Sequence, residues 1–107
     1  MADPGHNVYV VLLDDAVRGN RRFAARNPDM RLDRPCYYVG CTGLDPELRF
    51  ENHKRGHKGS WFVREFGCEL VPELYEHLNP MPYEAALEME ADLADDLRAA
   101  GHGVWQN

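Results

Sequence analysis

The sequence predicts an α+β domain in which a small antiparallel sheet of three strands is flanked by helices. Two observations carry this prediction. Residues 8–13 (VYVVLL) and 36–41 (CYYVGC) are short, β-rich apolar runs, and segments with helix caps and helical periodicity follow the second run. We expect the element order β-β-α-α-β-α. With 107 residues the chain can bury one core, so residues 1–107 are expected to form a single domain.

The first two strands are predicted to form a hairpin. Residues 8–13 end at two aspartates, which is typical of a short strand buried on both faces. Residues 14–35 are polar, rich in arginine and interrupted by glycine and proline, so they are expected to form a long basic loop or an interrupted helix inserted in the hairpin. Residues 36–41 then pair antiparallel with the first strand.

The remaining elements are predicted from caps and breakers. Asp45 as N-cap and Pro46 at the first helical position begin a helix that ends at Gly56. A short helix over residues 60–66 ends at the next glycine. Residues 68–77 are predicted to form the third strand, at a sheet edge or with a bulge because of the proline at position 72. Residues 83–100 form the last helix.

The charge distribution is uneven although the net charge is −6. Acidic chains do not favour nucleic acid, but six arginines crowd residues 18–34, a second basic cluster covers residues 53–58, and most acids follow residue 64. A basic face opposite an acidic one is therefore expected, with ordinary solvated charge as the alternative. The arginines at positions 21, 22 and 26, together with Lys54 and Arg55, are candidates for substrate binding.

The composition also predicts the compartment. No apolar run is long enough to cross a bilayer and residues 1–7 lack the pattern of a secretory signal, so the chain is expected to be cytoplasmic and not to bind membranes. The three cysteines form no recognised zinc spacing and are expected to be reduced, buried and unreactive.

Glu90 is the most informative residue of the last helix. On a helical wheel it lies in the middle of an apolar stripe that should pack on the sheet. A buried carboxylate needs a cation, a metal or a proton to offset its desolvation, so Glu90 is either part of a buried ion pair or part of a functional site. The stripe consists of Tyr83, Ala86, Leu87, Leu93, Ala94 and Leu97.

Other polar side chains are expected to converge with it. Arg49 and His53 lie four residues apart on one face of the first helix. Tyr9 and Tyr38 are placed so that both phenols can lie on the same face of the hairpin, although strand tyrosines commonly serve only in packing. Tyr37 is expected to pack on the opposite face.

Taken in order, these residues resemble the GIY-YIG nuclease superfamily. Its first motif corresponds to residues 7–9 (NVY) and its second to residues 38–40 (YVG). The family's threonine, arginine and histidine or tyrosine correspond to Thr42, Arg49 and His53, and its glutamate to Glu90 in LEMEADLA. Asn107 loosely matches an asparagine that some members place near the active site. Asn7 replaces the first glycine, and residues 14–35 are longer than the usual connection.

The resemblance implies a divalent-metal-dependent endonuclease that hydrolyses phosphodiester bonds, with DNA as the expected substrate. Glu90 would hold Mg²⁺ or Mn²⁺, Tyr9 would act as general base with Tyr38 assisting, and Arg49 would neutralise the phosphate. His53 would hydrogen-bond the phosphate or a tyrosine. Thr42 and Asn107 would line the substrate site. Cutting both strands would require a homodimer or two successive nicks.

Two other functional classes stay open. The chain could keep the fold and bind nucleic acid while cleaving poorly, which its acidity favours, or it could be an inactive module that meets a protein partner through the arginine-rich segment.

Overall fold

The computed structural model describes residues 5–106, and within them the chain forms four strands and four α-helices around one sheet. The strands are β1 Asn7–Leu13, β2 Cys36–Thr42, β3 Gly67–Leu70 and β4 Gly103–Gln106. The helices are α1 Arg21–Arg26, α2 Pro46–Arg55, α3 Trp61–Phe66 and α4 Tyr83–Ala99.

The sheet has the strand order β3-β1-β2-β4. β1 pairs antiparallel with both β2 and β3, which confirms the predicted hairpin and the α+β class. β4 pairs parallel with β2 through a register that includes Tyr38↔Trp105. The prediction of a three-stranded, wholly antiparallel sheet is therefore wrong: the sheet has four strands and is mixed. A four-residue strand shows no periodicity in the sequence, and only its Val-Trp pair after glycine hints at β structure.

β3 is much shorter than the predicted strand over residues 68–77. It ends at Leu70, and two short 3₁₀ helices, Pro72–Leu74 and Glu76–Leu78, replace the rest. Proline has no N–H to donate to a ladder, so pairing stops before it. The predicted edge position is confirmed, and the register shifts where β3 meets Leu12 and Leu13.

Residues 14–35 contain two short helices that pack into the fold, in agreement with the interrupted helix that was one of the two predicted alternatives. They contain a 3₁₀ helix, Asp15–Gly19, followed by α1, whose N-cap Asn20 accepts a hydrogen bond from Phe23 N–H. Asn27 is buried just after α1. Its side-chain amide donates to Val104 O at 3.1 Å and accepts from Val104 N–H at 2.8 Å, which ties the segment to β4.

The helices lie on both faces of the sheet. Tyr38 and its β4 neighbour Trp105 face α2 and α3, since the Tyr38 ring lies 5.5 Å from that of His53 and the Trp105 ring 4.1 Å from that of Phe62. Side chains alternate along a strand, so Tyr37 faces the other way. Its ring lies 4.8 Å from His102, just after α4.

Helix α4 buries Glu90 as predicted, with 8% of the residue exposed. Ala86, Ala94 and Leu97 of the stripe are buried as well, but Tyr83 and Leu87 are 51% and 44% exposed. These two lie on one side of the N-terminal half of α4, where nothing covers the stripe completely. The predicted burial of the whole stripe is therefore wrong at its first turns. Five acids of α4 are exposed, as expected: Glu84, Glu88, Asp92, Asp95 and Asp96.

Within residues 5–106, no helix combines the length and the apolar character needed to span a membrane.

Candidate functional site

Tyr9 and Tyr38 lie side by side on one face of the β1-β2 hairpin. Tyr9 pairs with Gly40 and Tyr38 pairs with Val11, so the two phenols are diagonal neighbours with ring centroids 6.0 Å apart. Gly40 makes this arrangement possible. A Cβ at that position would lie 2.7 Å from the Tyr9 ring and 3.0 Å from the Tyr38 ring, closer than side-chain atoms normally approach.

His53 is completely buried between these tyrosines and the loop after α2. Its Nδ1 accepts a hydrogen bond from the backbone N–H of Ser60 at 2.7 Å, and its Nε2 lies 2.7 Å from Tyr9 Oη. A backbone N–H can only donate, so Nδ1 carries no proton, and a neutral ring must carry it on Nε2. Nε2–H therefore donates to the Tyr9 oxygen.

The protonation state of His53 agrees with this geometry. Burial, reinforced by the positive charge of Arg49, lowers the pKa of His53 to about 4. The ring is thus neutral at physiological pH and serves as a fixed hydrogen-bond donor to Tyr9.

The loop over residues 56–60 holds both candidate site residues of α2, Arg49 and His53. Gly56 ends α2 with a φ of 79°, and Lys58 also adopts a left-handed conformation with a φ of 51°. The Lys58 carbonyl accepts a hydrogen bond from Arg49 at 2.9 Å. A Cβ at Gly59 would lie 2.6 Å from the Cα of His53, so the loop packs tightly onto the helix.

Tyr9 has two possible hydrogen-bond donors beside its hydroxyl, the Nε2–H of His53 and the Arg49 guanidinium. Burial, followed by the proximity of Tyr38, raises the pKa of Tyr9 well above its ordinary value of 10, and the positive charge of Arg49 lowers that pKa by less. Tyr9 is a neutral phenol whose deprotonated form already has two donors in place.

Glu90 interacts with β2 at the residue that follows Gly40. The thiol and the backbone N–H of Cys41 hydrogen-bond its carboxylate and lower its pKa, whereas burial, the larger effect, raises it. The carboxylate in turn adds to the burial that raises the pKa of the Cys41 thiol to about 12. In the described part of the chain no basic side chain forms an ion pair with Glu90. A buried glutamate was expected to belong either to an ion pair or to a functional site. Within the described residues, Glu90 belongs to no ion pair.

The residues of the site thus fall into two adjoining groups. Tyr9 contacts Tyr38, His53 and Arg49, while Glu90 hydrogen-bonds Cys41. Gly40 lies at the junction, because a Cβ at this position would meet both tyrosine rings and Cys41 is the next residue.

The donor set around Glu90 fits one kind of metal ion. Residues 5–106 contain no group of three or more His, Cys, Asp or Glu side chains that could hold a metal, so a protein cage of the zinc type does not fit. Mg²⁺ is commonly bound through one or two carboxylates while water and phosphate complete its shell. A single partly accessible carboxylate without a protein cation beside it suits such an ion.

Two predicted substrate residues already have local partners. Thr42 is buried and its hydroxyl accepts the backbone N–H of Leu44 at 3.0 Å. The ammonium group of Lys54 donates to backbone carbonyls at the end of α3, including Gly67 O at 2.9 Å. Each contact is typical of a residue that shapes a turn or a helix end.

The remaining predicted substrate residues lie farther out. Arg55 forms an exposed ion pair with Glu51 at 3.4 Å. Arg21 is exposed on α1, as are Arg22 and Arg26, which lie over the Trp105 ring. Asn107 lies outside the described residues.

The cysteines differ from the prediction in one respect. Cys36 is buried and Cys41 half-buried, but Cys68 is exposed on the edge strand β3. The expectation that all three are buried is therefore wrong for Cys68, which lies on an edge strand that has no neighbouring strand on one side. All three remain free thiols.

The residues that position Arg49 and His53 were not predicted from the sequence. Ser60, Lys58 and Gly59 fix His53 and Arg49, and the glycines in GHKGS were the available signal for a tight loop. Trp61 and Trp105, which flank a groove beside the site, had no signal beyond their size.

The chain matches no protein-family model, and comparisons with curated proteins and with solved structures also found no match.

Proposed function

We propose that this protein is a divalent-metal-dependent endonuclease of the GIY-YIG type that hydrolyses phosphodiester bonds in DNA. The observation that carries the proposal is the buried contact of Tyr9 with His53 and Arg49, beside Tyr38 and next to an acidic residue that has no cationic partner. These five side chains come from four separate elements of the fold. Packing alone does not require this combination of polar groups.

The sheet supports the same proposal. β3, β1 and β2 form an antiparallel three-stranded unit of the kind expected for this superfamily, and β4 adds a parallel strand at the β2 edge. The two tyrosines lie on β1 and β2, the arginine and histidine on α2, and the glutamate on α4.

Hydrolysis requires charge relief on the phosphate and a path for the proton of the attacking water. In the proposal, Arg49 binds a non-bridging phosphate oxygen while the Lys58 carbonyl fixes its guanidinium. Tyr9 loses its own phenol proton to solvent and, as the phenolate, accepts the proton of the attacking water. His53 holds Tyr9 in place and donates to its oxygen, which stabilises the phenolate.

Glu90 is the residue that would hold the metal, with the thiol and N–H of Cys41 orienting its carboxylate. When bound, Mg²⁺ or Mn²⁺ would supply positive charge to the phosphate and the leaving oxygen. Burial raises the pKa of Tyr9, so the phenolate needs such positive charge from the bound complex as well as from Arg49.

A second candidate function is supported by that raised pKa together with the net charge of −6. Both favour a fold that binds nucleic acid or a protein partner and cleaves weakly or not at all.

A plasmid-nicking assay separates these functions. Wild type is compared in Mg²⁺, Mn²⁺ and EDTA with Glu90→Gln, which preserves size, and with Glu88→Gln on the exposed face of α4 as control. The proposal expects metal-dependent nicking that is lost in Glu90→Gln and retained in Glu88→Gln. Folded wild type that cuts no DNA under either metal, yet shifts labelled DNA in a gel, would favour the second function.

A further inference from the structure

A groove between α1, α3 and β4 is unusual in this acidic chain. It has a volume of about 290 Å³ and is lined by side chains that include Arg22, Arg26, Trp61, Phe62 and Trp105. We refer to it as the arginine–tryptophan groove. Neither the proposed chemistry nor the packing of the core uses its exposed side chains.

The positive charge of the groove is not neutralised by the protein. Arg22 and Arg26 are exposed and lie one turn apart on α1, with guanidinium carbons 5.3 and 4.3 Å from the centre of the Trp105 ring. Neither forms an ion pair with a carboxylate within residues 5–106. Five other arginines do: Arg18, Arg31, Arg55, Arg64 and Arg98. Two unpaired guanidinium groups in a chain of charge −6 favour an anionic ligand.

The groove also exposes aromatic surface. Trp61, the first residue of α3, is 45% exposed and meets the Phe62 ring edge-on at 83°. Its indole therefore borders the groove instead of filling the core. Exposed indoles and guanidinium planes stack with nucleobases, and guanidinium groups bind the adjoining phosphates. A nucleotide, which has both a base and a phosphate, would therefore use both the indole and the guanidinium groups of the groove.

The position of the groove connects it to the tyrosine site. Ser60 lines the groove, and its backbone N–H holds His53. Trp105 is the register neighbour of Tyr38, so the two side chains lie on adjacent strands of one sheet face. The groove and the tyrosine site are therefore neighbours across adjacent strands, which lie about 5 Å apart.

The geometry points to a binding site for an unpaired nucleobase and its phosphate, so that single-stranded or locally unpaired nucleic acid is the ligand of the arginine–tryptophan groove. This inference deepens the proposed function and rests on it only for the claim that the bound strand leads to the scissile phosphate. A groove of about 290 Å³ admits a base but not a double helix, whose bases are stacked and paired. Duplex DNA would contact the arginines alone.

Tryptophan fluorescence reports directly on this groove. Trp61 and Trp105 are the two tryptophans of the chain, and both line it. Oligothymidylate of twelve residues is titrated into the protein in EDTA, and its affinity is compared by anisotropy with that of a blunt duplex of equal length. We expect quenching by oligothymidylate and an affinity about tenfold or more above that of the duplex. Equal affinity for the duplex would overturn the inference.

Two sets of variants test the residues. Trp61→Ala should weaken oligothymidylate binding by about 5- to 100-fold, the loss expected for one stacked base, whereas Tyr83→Ala, which removes an exposed aromatic ring from α4, should change it less than about twofold. The double variant Arg22→Ala and Arg26→Ala should lower the slope of log affinity against log salt by about 1, and Arg64→Ala, whose charge is paired with Glu65, should not. Unchanged binding in Trp61→Ala would refute the groove as the site.

The same data keep this inference separate from the proposed enzyme function. Binding is measured without metal, so single-strand binding through Trp61 stands even if no phosphodiester bond is ever cut. Conversely, metal-dependent nicking that persists in a Trp61→Ala variant with unchanged binding supports the enzyme and overturns the groove.

Discussion

Nε2 of His53 donates a hydrogen bond to Oη of Tyr9 over 2.7 Å, and the backbone N–H of Ser60 fixes the direction of that bond. The histidine is therefore an immobile neutral donor beneath a buried phenol. This relationship determines what substitution and pH should do to the protein.

Tyr9→Phe should harm both stability and activity. It leaves the Nε2–H of buried His53 without an acceptor, which costs about 1–3 kcal/mol of unfolding free energy. If the protein is a nuclease, nicking should also fall by about 10²- to 10⁴-fold, because the proposed base is lost. Urea unfolding and the nicking rate measure the two effects. Tyr37→Phe on the opposite face is the matched control, and an equal loss in both variants would contradict a special role for Tyr9.

If the protein is a nuclease, its rate of nicking should rise with pH. The pKa of Tyr9 is raised above 10 by burial, so the deprotonated fraction grows about tenfold per pH unit throughout the neutral and mildly alkaline range. We expect log kcat/KM at saturating Mg²⁺ to climb between pH 6.5 and 9 without a plateau. A plateau that begins below pH 8 would show that Tyr9 is not the base.

Stability should fall in mild acid because of His53. Its pKa is about 4 in the native state against an ordinary value of 6.5, so the unfolded chain takes up a proton below pH 6.5 that the native state refuses until about pH 4. The contribution of neutral His53 to the free energy of unfolding is thus fully present above pH 6.5, and about 2 kcal/mol of it is lost at pH 5. Urea unfolding at pH 7.5 and 5.0 tests this in wild type and His53→Gln. Between these two pH values, the variant should lose about 2 kcal/mol less unfolding free energy than wild type. Identical losses in the two proteins would show that His53 is not the cause.

Gly40→Ala should disturb the site through Tyr9. The new methyl group would lie 2.7 Å from the Tyr9 ring, so the ring must shift, at a cost of about 1–3 kcal/mol and with at least tenfold lower nicking. Gly19→Ala is the matched control, since a Cβ there meets no atom within 4 Å. Wild-type activity in Gly40→Ala would mean that the position of the Tyr9 ring is not critical.

Lys54→Met should reduce stability without weakening nucleic-acid binding. The substitution keeps the side-chain stem but removes the donor to carbonyls at the end of α3, which should cost about 1–2 kcal/mol. Arg55→Ala, which breaks only an exposed ion pair, should cost about 0.5 kcal/mol or less. Thermal melting measures both. A stable Lys54→Met variant with weaker DNA binding would restore Lys54 to the substrate site.

The local signals in the sequence predicted the elements that they directly specify. The cap at Asp45 and the stop at Gly56 placed α2, and the apolar runs placed β1 and β2, because each depends on neighbouring residues only. β4 was missed because its four residues are stabilised by parallel pairing with β2, a contact between distant parts of the chain.

The same distinction applies to the site. The spacing of Arg49 and His53 and the position of Glu90 in its stripe were readable, since helical periodicity fixes both. The protonation state of His53 could not be predicted, because it depends on a loop that places the backbone N–H of Ser60 against the imidazole ring. The raised pKa of Tyr9 likewise follows from tertiary burial.

The pairing of β2 with β4 ends at Val39 and Gln106. Beyond this point, the backbone N–H of Cys41 donates a hydrogen bond to the Glu90 carboxylate. Unpaired strand edges recruit strands from other molecules, and a charged group placed there discourages such self-association. Removing the Glu90 side chain would therefore do more than remove the proposed metal ligand: it would leave the Cys41 N–H on this strand edge without its acceptor and weaken a barrier against strand addition by a second molecule.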